Sequence, residues 1–202
     1  MPHPSTTVVE DASDRVALIR SADHLFTIGH IRSTTIDAID AHAHRTRAAF
    51  DAVFRDKDDL IVAVLDYRHA AWNRHLADAM APSADPRDKI LSIFSYLETW
   101  FAEPTFHGCA FVNVYAELGP EIPWAADYAA KHKNVFIDLV TRLALEAGLP
   151  ESAGTSIALL AEGAQVTAAL TRTIAPAREA RSAAAMLIAL YQEESGPGGF
   201  DL

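Results

Sequence analysis

The sequence predicts an all-α protein: a three-helix N-terminal head with a helix-turn-helix, then a larger helical body, about nine helices in all. Three observations carry that prediction. Apolar residues recur at three- and four-residue spacing, while alternation of apolar and polar residues is nearly absent. Alanine is abundant and β-branched runs are short. Breaks fall at glycines, prolines and short polar residues, where helices stop and start.

The elements follow in order. A first helix has an apolar face of Val16, Ile19, Ala22 and Phe26 and stops by Gly29. Thr34 can cap the second helix, with Asp37 three residues on as its capping-box partner. A third helix starts near Arg45-Thr46 and ends near Ala52 or Val53. Asp56 and Asp59 repeat the capping device ahead of a long fourth helix carrying Leu60, Ile61, Val64, Leu65 and Trp72. The segment APSADPRD, from Ala81 to Asp88, is the clearest turn. It precedes a helix facing inward through Ile90, Ile93, Phe94, Leu97 and Phe101. Pro104 and Gly119-Pro120, with Pro123, bracket a shorter helix containing Cys109 to Leu118. A helix from about Trp124 to Ala147 stops at Gly148, and Pro150 opens the next. Pro176 opens the last, whose stripe is Ala183, Ala184, Leu187, Ile188 and Tyr191. No internal repeat or low-complexity linker is present.

Composition bounds the function. With 202 residues, 50% hydrophobic and 22% charged, the chain can bury a substantial core. No apolar run reaches the roughly 18 residues of a membrane span. The start, MPHPSTTVVEDAS, lacks the basic segment and apolar core of a secretion signal. A single cysteine, Cys109, excludes an internal disulfide and fits a cytoplasmic location. The net charge of −10 argues against broad, nonspecific nucleic-acid binding. No nucleotide-binding glycine loop, nucleophile elbow or zincin helix appears, and His107, Cys109, Glu117 and His132 lack structural-zinc spacing. The expectation is therefore no enzyme, no metal and no cofactor.

The head resembles the tetracycline-repressor (TetR) family of bacterial regulators. The resemblance rests on Leu25-Phe26 with Gly29, on Thr34-Thr35-Ile36-Asp37-Ala38-Ile39, on Phe54, and on Asp56-Lys57-Asp58-Asp59-Leu60. Its motifs span roughly Asp14 to Leu65; beyond them stand the helix count and the phrase Gly108-Cys109-Ala110-Phe111-Val112-Asn113. It implies a helix-turn-helix domain over 12–58, a ligand-binding and dimerisation domain over 59–195, and flexible tails at 1–11 and 196–202. It also implies operator DNA as a partner, contacted by Thr34, Thr35, Arg45, Thr46, Arg47, Arg55 and Lys57. In such a motif the second helix enters the major groove, and a dimer spaces two heads about 34–36 Å apart.

Three departures stand against that pattern. His44 occupies the place of the turn glycine, where a left-handed conformation costs any other residue energy. Asp51 stands where the family carries a phosphate-touching tyrosine. Met1 to Arg68 holds 8 Lys and Arg against 11 Asp and Glu, an unfavourable balance for a DNA-binding head.

In the body, small residues at Gly154, Ala158, Gly163, Ala164, Ala168, Ala180, Ala183 and Ala184 suggest a homodimer through the last two helices, with burial from Leu160, Leu170, Leu187 and Ile188. The family implies a pocket for a small apolar or aromatic effector. Tyr67, Phe94, Trp100, Phe111, Asn113, Tyr115, Trp124 and Gln165 are its candidate lining. Two readings stay open: a ligand-responsive transcriptional regulator, acting as a repressor released by its effector, and a dimeric small-molecule or protein-binding module of the same fold whose reading helix is degenerate.

Overall fold

The computed structural model describes residues 4–194. The described residues form nine helices and no strand: α1 (Pro4–Ile28), α2 (Ile36–Ala43), α3 (Arg47–Val53), α4 (Lys57–Met80), α5 (Pro86–Phe101), α6 (Ala110–Leu118), α7 (Pro123–Glu146), α8 (Glu151–Thr171) and α9 (Ala175–Glu194). No described helix is long and apolar enough to cross a membrane. The expected tail at 196–202 lies outside the described residues, as do residues 1–3. α1 already runs from Pro4, so the rest of 1–11 is helical rather than a tail. Proline suits a first helical turn, and no breaker follows it.

The chain divides into two compact units, one of residues 1–71 with 113–126, the other of 72–112 with 127–202. The head unit is built on Leu18, Ile19, Ala22, Ile39, Phe50, Phe54, Leu60, Ala63 and Val64, all buried in one cluster. Val16 departs from its expected place, being 48% exposed. It lies two residues from the buried Leu18, roughly 200° around the helix, so the two cannot share a face.

The body unit buries the face expected of α5, Ile90, Ile93, Phe94, Leu97 and Phe101, against Phe136, Val140, Leu143, Ile157 and Ile188. Asp85 caps α5 through the Arg87 amide at 2.9 Å, with Pro86 in the first turn. Gly148 ends α7 with φ +77°, a conformation that glycine adopts without strain.

Most of the small residues expected on a dimer seam of α8 and α9 pack inside the chain; Gly163 and Ala183 do not. Ala158, Ala164, Ala168, Ala180 and Ala184 are buried within the chain. A Cβ on Gly154 would sit 2.5 Å from the Thr141 Cα of α7. These positions let helices of one chain approach closely, and Ile188 too is consumed by the internal core. What α8 and α9 leave outside is large: Leu159, Val166, Leu170, Met186 and Leu190 are exposed.

Candidate nucleic-acid interface

α2 and α3 are short, so their ends decide their geometry. Thr35, not Thr34, is the N-cap of α2; its Oγ1 accepts from the Ala38 amide at 3.1 Å. Thr34 instead donates its hydroxyl to the His30 carbonyl at 2.8 Å. The N-cap therefore slips by one residue and the capping box is lost, because Ala38 has no polar side chain to reach back, and Asp37 is left facing Arg47 at 3.2 Å.

At the other end of α2, His44 adopts φ 53° and ψ 46°, the left-handed conformation that a turn glycine would take. The turn is thus kept rather than reshaped. The His44 amide donates to the Ala41 carbonyl at 3.2 Å and the Arg45 amide to the Asp40 carbonyl at 2.9 Å, satisfying the last carbonyls of α2. Thr46 then caps α3 by accepting from the Ala49 amide at 3.2 Å. Phe50 and Phe54 are buried, their ring centroids 5.5 Å apart, and seat α3 on the head core. Arg47, Ala48, Asp51 and Ala52 form its exposed face.

The cations expected to grip DNA are mostly engaged within the head. Arg45 is not free at the turn; its guanidinium pairs with Asp14 of α1. Arg47 lies among three carboxylates, Asp37 at 3.2 Å, Asp51 at 3.4 Å and Asp40 at 3.9 Å. Arg55 is exposed and pairs with Asp59 at 3.5 Å. Its backbone amide also donates to that carboxylate, and this bond is the main cause of Asp59's lowered pKa. Lys57 turns inward, donating its ammonium to the carbonyls of Ile31 and Arg32. Burial lowers the Lys57 pKa, against the opposing pull of Asp58 and Glu117.

Arg32 is a head residue that sequence reasoning missed. Its Nε donates to the Glu117 carbonyl at 2.7 Å, its backbone amide to the Glu117 carboxylate at 3.3 Å, and its Nη1 pairs with Glu121 at 2.9 Å. Partners 85 residues apart leave no local signal in a sequence.

The eight candidate pocket residues are divided between the two units. Tyr67, Asn113 and Tyr115 are exposed residues of the head unit. Trp124, also in the head unit, donates its indole N–H to Asp58 at 3.3 Å. Phe94, Trp100, Phe111 and Gln165 belong to the body unit. There Trp100 and Phe111 join one aromatic network. The Trp72 ring meets Trp100, Tyr96, Phe136 and His132 edge-on at 5.5 to 6.3 Å, and His132 stacks on Phe111 at 3.4 Å. Phe94 is buried core, and Gln165 is buried with its amide directed to the Ala161 carbonyl at 3.5 Å. His132, weighed in the sequence only as a metal-ligand type, is an aromatic partner here. Among the described residues no group of three His, Cys, Asp or Glu side chains could hold a metal ion.

A capped helix-turn-helix seated on α1, followed by a helical body, defines the class of helix-turn-helix regulators. No family model matches the sequence, and neither does any curated protein. Solved structures do. A TetR-family transcriptional regulator from Streptomyces coelicolor matches with a TM-score of 0.81 and 26% identity, over 89% of this chain and 96% of that one. Reduced NemR from Escherichia coli matches with a TM-score of 0.75 and 20% identity, over 86% and 97%. A TetR regulator from Chloroflexus aurantiacus gives 0.76 and 21%, over 89% and 96%. This chain has the TetR-family fold, with an atypically acidic helix-turn-helix.

Proposed function

We propose that this chain is a transcription regulator that binds operator DNA as a homodimer, represses, and is released by a small apolar or aromatic effector. The observation that carries the reading is the preserved helix-turn-helix. Both helices are capped, His44 holds the left-handed turn conformation, and α3 presents an exposed face long enough for a major groove. The solved structures of the same fold are named as transcriptional regulators, which supports this reading. The rings gathered around Trp72 and His132 support an apolar or aromatic effector, since such surroundings with few polar groups suit such ligands. Dimerisation is supported by the large apolar side chains left exposed on α8 and α9.

The internal pairing of Arg45, Arg47 and Lys57 favours a second reading, a dimeric binding module of the same fold without operator recognition. Fluorescence anisotropy on DNA from the chain's own upstream region, scanned across salt, decides between them. The regulator should bind one fragment about a thousandfold more tightly than a scrambled duplex, and Arg47→Ala should weaken that binding by about 1–3 kcal/mol. A folded protein that binds no fragment specifically at any salt, with Arg47→Ala changing nothing, leaves the module reading.

A further inference from the structure

The outer face of α3 carries two charged side chains, Arg47 and Asp51, and two alanines, Ala48 and Ala52. Arg47 and Asp51 lie four residues apart on the same face, with Arg47 Nε 3.4 Å from Asp51 Oδ1. Asp37, from the neighbouring helix, holds Arg47 Nη1 at 3.2 Å. The guanidinium is thereby oriented from two sides while Arg47 stays half-exposed and Asp51 63% exposed. The alanines beside them remove bulk, so base edges can come close to both groups.

Resting on the reading of α3 as the operator-reading helix, we infer that Arg47 and Asp51 act as a paired base reader, with Arg47 selecting guanine and Asp51 selecting cytosine. An arginine fork donates to the O6 and N7 acceptors of guanine. A carboxylate only accepts, and the major groove offers it few donors. Guanine presents two acceptors, thymine presents O4, and adenine sets its N7 acceptor beside its amino group. Cytosine alone presents an amino donor with no acceptor on its own major-groove edge. Asp51 therefore recognises cytosine by attraction and rejects the other bases by repulsion. Residues four apart on a helix are about 6 Å apart, and successive bases are about 3.4 Å apart along a strand. The cytosine should lie within about two base pairs of the guanine.

Selection of full-length protein on a randomised duplex pool, followed by anisotropy on single-base variants of the winner, tests this. Wild-type protein should enrich half-sites with a guanine and a cytosine at that separation. Replacing the cytosine should weaken wild-type binding by about tenfold or more. Asp51→Ala should lose discrimination at the cytosine while keeping it at the guanine, and Arg47→Ala should do the reverse. Asp51→Ala removes only an exposed ion pair, so its fold should persist, and circular dichroism checks that. Two results overturn the inference alone: an enriched site without a fixed cytosine, or an Asp51→Ala protein that binds every sequence more tightly with unchanged preferences. The second would mean that Asp51 merely repels phosphates. A wild-type protein that enriches nothing would overturn the regulator reading and this inference with it.

Discussion

At the residue scale, Asp40 is a costly side chain of the head. It is buried in α2 between the exposed acids Asp37 and Asp51, one carboxylate oxygen has no hydrogen-bond partner, and the other lies 3.9 Å from Arg47. Burial raises its pKa above the ordinary carboxylate value; Arg47 opposes that rise, and Asp37 and Asp51 add to it. A carboxyl whose folded pKa exceeds its unfolded one favours folding when protonated. Its contribution is therefore fully present below the unfolded pKa and lost as pH rises through the folded one. At neutral pH the ionised Asp40 is a cost. Asp40→Asn, which keeps the shape without the charge, should raise unfolding free energy at neutral pH by about 1 kcal/mol. That gain should shrink as pH falls through the raised pKa of Asp40. Urea titrations at neutral pH and near pH 4 would show it. A variant less stable than wild type at neutral pH would mean that Arg47 more than offsets the burial. His44 illustrates the same scale from the sequence side. The missing glycine was visible as an anomaly, yet whether the turn or the residue would yield was not. Two backbone hydrogen bonds closing α2 over-determine the left-handed conformation, so the residue yields.

At the scale of elements, Lys57 ties the N-terminus of α4 to the segment between α1 and α2 by donating to the carbonyls of Ile31 and Arg32. Both carbonyls lie beyond the end of α1 and have no strand or helix to satisfy them. Removing the ammonium leaves them short of a donor, and hydrogen bonds to charged groups are worth about 1.5–3 kcal/mol each in stability. Lys57→Ala should therefore lower the melting temperature by about 4 °C or more in a chain of this size. Its salt dependence of DNA binding should stay close to that of wild type, because the ammonium faces carbonyls rather than solvent. A phosphate anchor would behave in the opposite way, with the salt slope falling by about one and the melting temperature barely moving. This tie marks where legibility ends. The helices were legible because caps, glycines and prolines act within a few residues, as at Asp56, whose carboxylate accepts from the Asp59 amide at 2.8 Å. The one-residue slip from Thr34 to Thr35 shows the limit even there, since adjacent threonines offer the same chemistry. Lys57 with Ile31, Arg45 with Asp14 and Arg32 with Glu117 are distant pairings; the first two redirect cations that local spacing assigned to DNA, and the third engages one that it did not single out.

For the whole molecule, the division between what is buried internally and what is left exposed sets the expected assembly. Most small residues of α8 and α9 are spent on packing within the chain, Gly163 and Ala183 excepted, so they alone do not make a dimer seam. The exposed residues form a different surface. Leu159, Gly163, Val166 and Leu170 recur along α8 at three- and four-residue spacing, and on α9 Met186 and Leu190 follow, with the half-buried Ala183 and Leu187 beside them. Between the two helices runs a groove of about 530 Å³ lined by Ser156, Leu159, Leu160, Ala183, Met186, Leu187 and Leu190. A Cβ on Gly163 would meet nothing within 4 Å, so this part of α8 is open. Large apolar side chains repeating along two adjacent helices are costly in water, and a second copy of the same face would cover them under a twofold axis. Leu159→Glu with Met186→Glu places charge at two points lining the groove. Both side chains are exposed in the single chain, at 60% and 71%, so the internal core should be untouched. Sedimentation at micromolar concentration should give a dimer for wild type and a monomer for the double variant, with the same helical circular dichroism. The monomer should also lose affinity for a duplex carrying two half-sites far more than for one carrying a single half-site. A double variant that stays dimeric would place the interface on another face, and a wild type that sediments as a monomer would remove the dimer from the proposed mechanism.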